Sequence, residues 1–546
     1  MTAIVLSLYG GVSQAGVTEG QDAYDTANYS IAFREFKSAA VRGQAVAQFR
    51  LGLMYANGLG VSQDAREVLS WMQKSAEQGY APAQYRLAQM FAQGQGAAQN
   101  YRAAADWFRK AADQGDALSQ YHLGQLYAAG QGVDQNAQTA VSWYRKAAQQ
   151  EHAPAQVKLA VAYISGQGVQ QDYKSALDWL RRAADQDSLA AQVYLSQLYA
   201  NGQGVPQDYK IALDWMSKAA RQGDAGAQYQ LGAMYAQGQG TAVDEKTAVD
   251  WYRKSADQGN VSAQLALAKC YADGRGVPQD QTAAAGWYYK AAVQGNAAAQ
   301  SALGLMYLKG QGVMRDYAIA SEWLTRAANQ GDASAQRNLG LMYLNGQGVA
   351  QDHAAAAEWF RKSAVQGDAL AQSSLGMMYA NGQGVSKNTK LAMKWLRLAA
   401  DQGVSVAQRN IGLLYISGQD GPQDFTAAAE WFRKAAEQGD GSAQYQLGWL
   451  YDNGQGVPQD YKMAAEWYRK AAEQGEPKAQ YRLGLMYMNG YGVAADRVQA
   501  HKWLNLAAAA GQTEAQEARR QTELKMSPAQ IESAQSAARD WLAKRR

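Results

Sequence analysis

Fourteen glutamines, at positions 48, 84, 120, 156, 192, 228, 264, 300, 336, 372, 408, 444, 480 and 516, stand 36 residues apart without an insertion or deletion. A strict period of this length is the mark of a repeat architecture, which grows by stacking units and not by enlarging one core. The 546 residues therefore do not divide into several globular domains, as their number alone would suggest.

The unit is clearest at 440–475, DGSAQYQLGWLYDNGQGVPQDYKMAAEWYRKAAEQG. Ala443, Leu447, Leu450, Tyr451 and Gly454 mark one face of a first helix, with Asp440 as its N-cap and Gly454 as a left-handed C-cap. Gly456 supplies a tight turn. A second helix starts near Asp460, at a phase where Asp or Asn stands in all thirteen units. Pro206, Pro278, Pro422 and Pro458 precede that start and mark the turn. Ala464, Trp467, Ala471 and Ala472 face inward, and Gly475 ends the helix. The tryptophan recurs from Trp71 to Trp503, a large ring opposite small residues in every unit.

The ends depart from the pattern. Residues 1–15, MTAIVLSLYGGVSQA, read as the remnant of a secretory signal lacking its basic start, with Ser13-Gln14-Ala15 as a small-x-small cleavage site. Residues 16–43 read as an N-terminal capping half-repeat, one helix of a pair with a polar lead-in. Thirteen repeats fill 44–511. Residues 512–546 form C-terminal capping helices, with Ser527 as N-cap and Pro528 in the first turn.

Composition excludes several classes. At 47% hydrophobic and 18% charged the chain is not globally disordered, and a net charge of +4 gives no case for nucleic acid or an anionic membrane. No apolar run reaches the roughly 18–20 residues of a membrane span. Cys270 is the single cysteine, so no intrachain disulfide or cysteine metal site can form; it holds the place of Met234 and Met306 and reads as a core hydrophobe. His122, His152, His353 and His501 fall at different phases of different units, so no metal or cofactor site is expected.

These units closely resemble Sel1-like repeats, the 36-residue cousins of tetratricopeptide repeats, over roughly residues 28–515: spacing, Leu-Gly, Tyr, Gly-x-Gly, Asp, Ala and Trp all agree. The resemblance implies an all-α, right-handed solenoid of antiparallel helix pairs, used as an adaptor for protein or peptide partners. It also implies a periplasmic or secreted setting, which the signal-like start matches; the setting is cytoplasmic if residues 1–15 are retained. Secreted members with a disulfide in each repeat, and the penicillin-binding activity proposed for them, are poor guides, since those cysteines are missing.

Sequences that suggest chemistry fail on context. Acids before the tryptophan pair with a base four residues on, as in Asp106–Lys110, Asp178–Arg182, Asp214–Lys218, Asp250–Lys254, Glu322–Arg326, Glu358–Lys362, Glu430–Lys434 and Glu466–Lys470, the favourable order on a helix surface. The Gly-x-Gly follows a helix, not a strand, and no GxxxxGK[ST], GxSxG or SxxK is present. Three substitutions are expected to alter local turns and bend the stack: Glu151 and Asp187 for the inter-repeat glycine, and Asp420 for the second glycine of a Gly-x-Gly.

What remains is a stripe of the first helix at offsets +1, +5 and +8 from the anchor glutamine, varied where the core positions repeat. Its candidate anchors are Tyr85, Tyr121, Tyr229, Arg337, Arg409, Tyr445, Trp449 and Tyr481, of residue types that recur as interface hot spots. The apolar members Leu305, Leu308, Leu341, Leu344, Leu413 and Ile416 fit the stripe or an inter-repeat core equally. The preferred reading is a non-enzymatic, monomeric scaffold whose concave groove binds a protein, peptide or glycan. A cell-wall or lactam hydrolase with a site spread across repeats, and a cytosolic signalling adaptor, are the alternatives.

Overall fold

In a computed structural model, residues 16–418 and 422–545 are described. Thirty helices and no strand occupy these residues, and consecutive helices run antiparallel as pairs. The fold is an all-α solenoid. The helices group into two compact units, Met1–Leu267 with Arg275–Val277, and Ala268–Gly274 with Pro278–Arg546. Within each unit a helix packs on the one before it and the one after it.

Each boundary has a local cause. Asp440 accepts from the Ala443 amide at 2.8 Å and starts Gly441–Asn453; Asp460 accepts from Lys462 and Met463 and starts Tyr461–Glu473. Gly454 ends the first helix at φ 66°. Gly456, at φ 68°, lies directly on the Phe425 carbonyl at the start of the preceding second helix, where a Cβ would overlap the backbone. Ala443, Leu447, Leu450, Ala464, Ala471 and Ala472 are all fully buried. Gly448 lets the Tyr468 ring pack against the first helix, since a Cβ there would stand 2.8 Å from it.

One interaction binds pair to pair. Gln444 is buried, donates to the Ala436 carbonyl at 3.0 Å, and accepts from the Gln474 amide at 2.9 Å. The same two bonds recur at Gln84, Gln120, Gln156 and Gln228 in the first unit, and at Gln300, Gln336, Gln372 and Gln408 in the second. The anchor glutamine thus joins the end of the preceding second helix to the end of its own.

Several expectations are revised. The lead-in to residues 16–43 is itself a helix, Val17–Asp25, which packs on Tyr29–Val41 with Gly20 against Phe36, so this segment is a helix pair with a shortened loop. Glu151 and Asp187 keep the left-handed turn, at φ 61° and 59°, with the hydrogen bonds seen at Gly115. The backbone bonds of the turn are thus kept, at a φ below the 87–96° of the glycines at this phase, and the Glu151 carboxylate accepts from the Gln156 amide at 3.0 Å. Asp420 and residues 1–15 lie outside the described residues. At the C-terminal end Ser527 forms a capping box with Gln530, and Cys270 is buried.

Two substitutions test the framework. Gln444→Leu leaves the Ala436 carbonyl and the Gln474 amide without their partner and is expected to cost about 1–3 kcal/mol, read as a lower urea midpoint. Gly456→Ala forces both strain and a backbone overlap, whereas Gly367→Ala meets no atom within 4 Å; the first is expected to destabilise by roughly 2–4 kcal/mol and the second by about 1 kcal/mol.

Candidate functional site

The first helices leave one ridge uncovered. In the pair beginning at 440 it runs through Ser442, Gln446, Trp449 and Asn453, at spacings of 4, 3 and 4. Elsewhere it shows Pro154, Lys158 and Ser165; Ala190, Gln197 and Asn201; and Leu341 and Asn345. Leu341, Leu370, Val406 and Leu413, all on this ridge in successive pairs, are exposed apolar side chains.

The predicted stripe coincides with this ridge only at offset +5. Offset +1 lies to one side, in the seam with the next pair. Arg337 donates to Asp368 at 2.7 Å, and Arg409 holds both oxygens of Asp440 at 2.9 and 3.1 Å. Each aspartate lies 31 residues on and caps the next first helix. Ser301 to Asp332, Phe49 to Tyr80 and Tyr121 to His152 repeat this 31-residue contact with other chemistry. Arg337 and Arg409 are therefore inter-repeat ties.

The predicted tyrosines are half-buried. Tyr229 and Tyr445 pack on Tyr252 and Tyr468 at centroid distances of 5.8 and 5.7 Å, and Tyr481 lies against the cluster of Leu504, Ala507 and Ala515. Trp449 is also half-buried; it touches the cores of its own pair and the next while standing on the open ridge.

Tyr85 and Tyr121 belong to a polar aromatic ladder. His122 stacks on Phe108 at 5.3 Å, meets the Tyr85 hydroxyl at 3.4 Å and bonds Gln125 at 3.0 Å; Gln125 donates to the Tyr121 hydroxyl at 2.9 Å. Beside it lies a hollow of about 300 Å³ lined by Gln89, Gln93, Phe108, His122, Gln125 and Gln131. Burial pushes His122 below its ordinary pKa, against the pull of Gln125 and Asp116. His152 is lowered by burial and then by His122. The Tyr144 hydroxyl, beneath Tyr121, is pushed up to about 12 by burial.

Four of the acids before the tryptophans pair with the arginine three residues on, Asp106–Arg109, Asp178–Arg181, Asp250–Arg253 and Glu358–Arg361, and among the described residues none is seen paired with the base four residues on. The expected i,i+4 lysines lie instead over the tryptophan rings, Lys110 at 3.7 Å from the Trp107 centroid and Lys470 at 4.1 Å from Trp467. Arginines at the same phase also reach forward 18 residues to a tyrosine hydroxyl, as Arg109 does to Tyr127 at 2.7 Å.

This geometry repeats in step with a known family pattern. The Sel1 repeat matches thirteen consecutive segments, from 45–80 through to 477–512. The chain belongs to the Sel1 repeat family. Among solved structures this Sel1 repeat chain is similar to c5321, described as a protective antigen present in uropathogenic Escherichia coli strains displaying an SLR fold. Identity is 36% with a TM-score of 0.58, over 87% of this chain and 94% of that one. It is also similar to a Sel1 repeat protein from Oxalobacter formigenes, at 37% identity and a TM-score of 0.48, over 60% of this chain and 93% of that one. No curated protein matches the sequence.

The ladder makes stability depend on pH. Both histidines titrate lower in the folded chain than their ordinary value of 6.5. The unfolded chain therefore binds protons first, and stability falls as pH drops below about 6.5. His122→Gln with His152→Gln is expected to flatten the melting temperature between pH 7 and roughly 5, checked by circular dichroism against the parent chain.

Proposed function

We propose that this Sel1 repeat chain is a non-enzymatic scaffold whose first-helix ridge binds an extended segment of a protein partner. The observation that carries this reading is the contrast between ridge and framework. Gln, Leu and Gly recur at the buried positions, while the ridge offers Lys158, Gln197, Leu341, Leu413 and Trp449 in turn. Amides along the ridge suit the backbone groups of an extended peptide, and the exposed leucines and Trp449 suit its side chains. Within the first compact unit, the amide-rich hollow beside His122 adds a polar contact to the first-helix ridge.

Binding would spread over several repeats as many modest contacts. The signal-like residues 1–15 support an exported setting, and the E. coli relative described as a protective antigen fits the same reading. N-terminal sequencing of the mature protein tests it: retention of Met1 rejects export by cleavage.

The ridge is tested by crosslinking pull-down from the native host with mass spectrometry, comparing the parent chain with Leu341→Glu, Val406→Glu and Leu413→Glu combined. Capture of the parent's specific partners is expected to fall by about tenfold or more at unchanged melting temperature. Equal capture by the folded variant rejects the ridge. Arg337 and Arg409 are left intact, because removing them loosens the stack.

A further inference from the structure

The ridge of the first compact unit has a charge of its own. The six first helices of that unit, from Ala45–Asn57 to Ala225–Gln237, contain no aspartate or glutamate. At the place that Gln446 holds in the pair beginning at 440, four successive repeats carry Arg50, Arg86, His122 and Lys158. Burial holds His122 below its ordinary pKa, so the charges at neutral pH are Arg50, Arg86 and Lys158. The acids of these repeats lie on the second helices, in caps and in loops.

The stacking of the repeats does not use these cations. Arg337 and Arg409, one position earlier in their repeats, are tied to aspartates at 2.7 and 2.9 Å. Among the described residues no ion pair takes up Arg50, Arg86 or Lys158. Lys158 is exposed, and Arg50 and Arg86 are half-buried. Arg86 donates to Gln89 at 3.1 Å, and Gln89 donates to the Tyr85 hydroxyl that meets His122. These neutral partners position the guanidinium without cancelling its charge.

Arg86 borders a hollow of about 260 Å³, and the hollow beside His122 is the same place one repeat on, with Met90 and Gln95 of the one answering to Leu126 and Gln131 of the other. Asp64 also lines the first hollow, and its carboxylate accepts from the Arg66 and Glu67 amides at 2.8 and 3.2 Å. Asp116, near His122, accepts from the Ser119 amide at 2.7 Å. Both are N-caps, each offset where it stands by the positive end of its helix. Glu67 accepts from the Trp71 indole at 2.8 Å.

The spacing of the row selects a shape. Packed helices stand about 8–10 Å apart. A polyproline-II segment turns once in three residues with a rise of about 3.1 Å each, so every third side chain returns to one side after about 9 Å. Such a backbone makes no internal hydrogen bonds, and Gln89, Gln93 and Gln125 offer amides beside the row. Single-stranded nucleic acid would need exposed rings to stack on. The position of Trp449 is held in this unit by Leu53, Gln89, Gln125, Val161, Gln197 and Ala233.

We propose that the row of Arg50, Arg86 and Lys158 receives an acidic extended segment of a protein partner, with a carboxylate at every third residue. The inference rests on the reading of the ridge as a partner-binding surface and adds the chemistry of the partner.

The full chain is titrated into a fluorescein-labelled peptide of repeated Glu-Pro-Pro triplets and read by anisotropy at low ionic strength. Binding is expected, and the same peptide with Gln for each Glu is expected to bind about tenfold more weakly. Arg50→Gln, Arg86→Gln and Lys158→Gln combined is expected to weaken binding about tenfold, and Lys158→Glu alone about threefold, at unchanged melting temperature. Arg102→Gln, Lys174→Gln and Lys210→Gln combined removes the same charge from exposed places on second helices and should leave binding unchanged. The proposal is overturned if the peptide fails to bind, or if the two triple variants weaken it alike. It is also overturned if oligothymidylate binds the parent more tightly than the peptide does and loses that affinity in the ridge variant, which would make the partner a nucleic acid. Pull-down from the host separates this inference from the ridge itself. Capture lost with Leu341→Glu, Val406→Glu and Leu413→Glu but kept without the three ridge cations leaves the ridge standing and rejects the acidic segment; capture kept by both variants rejects both.

Discussion

The buried glutamine holds the solenoid to its period. Gln444 sits in an apolar interior, where an amide without partners would cost about 1–3 kcal/mol. Its two bonds join the carbonyl of Ala436, eight residues back, to the side chain of Gln474, 30 residues on. The two bonds set how neighbouring pairs stack, and the same pair of bonds recurs from unit to unit. The spacing of 36 keeps that geometry in step along the chain.

The two faces of each helix pair meet water by different means. On the outer face a cation lies over the tryptophan in most repeats and an arginine crosses to the next tyrosine in several, so ionic side chains shield an apolar surface. On the first-helix face no such shield repeats. Leu341, Leu370, Val406 and Leu413 are exposed in turn, with amides between them. These exposed apolar side chains are what the proposed partner-binding ridge rests on.

The helices were legible because caps, glycines and apolar spacing agree within each unit: Asp440, Gly454, Asp460 and Gly475 mark every boundary of the pair at 440–475. The short helix Val17–Asp25 was not, because its repeat lacks the loop that sets the phase. The lysines read as partners of the acids four residues back because that order of acid and base is favourable on a helix surface. The tryptophan three residues back on the same helix was the better partner. The ridge was half legible. Trp449 lies on it, but offset +1 turned out to face the next pair.

That last displacement has a general physical content. Along this chain offset +1 holds Phe, Tyr, Ser and Arg, and such variety suggests a surface specialised for a ligand. Yet several of these residues have a matched companion 31 positions on, Phe49 with Tyr80, Tyr121 with His152, Ser301 with Asp332, Arg337 with Asp368, while Tyr229 and Tyr445 pack on Tyr252 and Tyr468. Ring meets ring, and hydrogen-bond donor meets carboxylate. Variation that is matched inside the molecule carries no demand from outside it. Variation that is unmatched, as at the exposed Leu341 and Leu413 on the ridge, is what an external partner would have to explain.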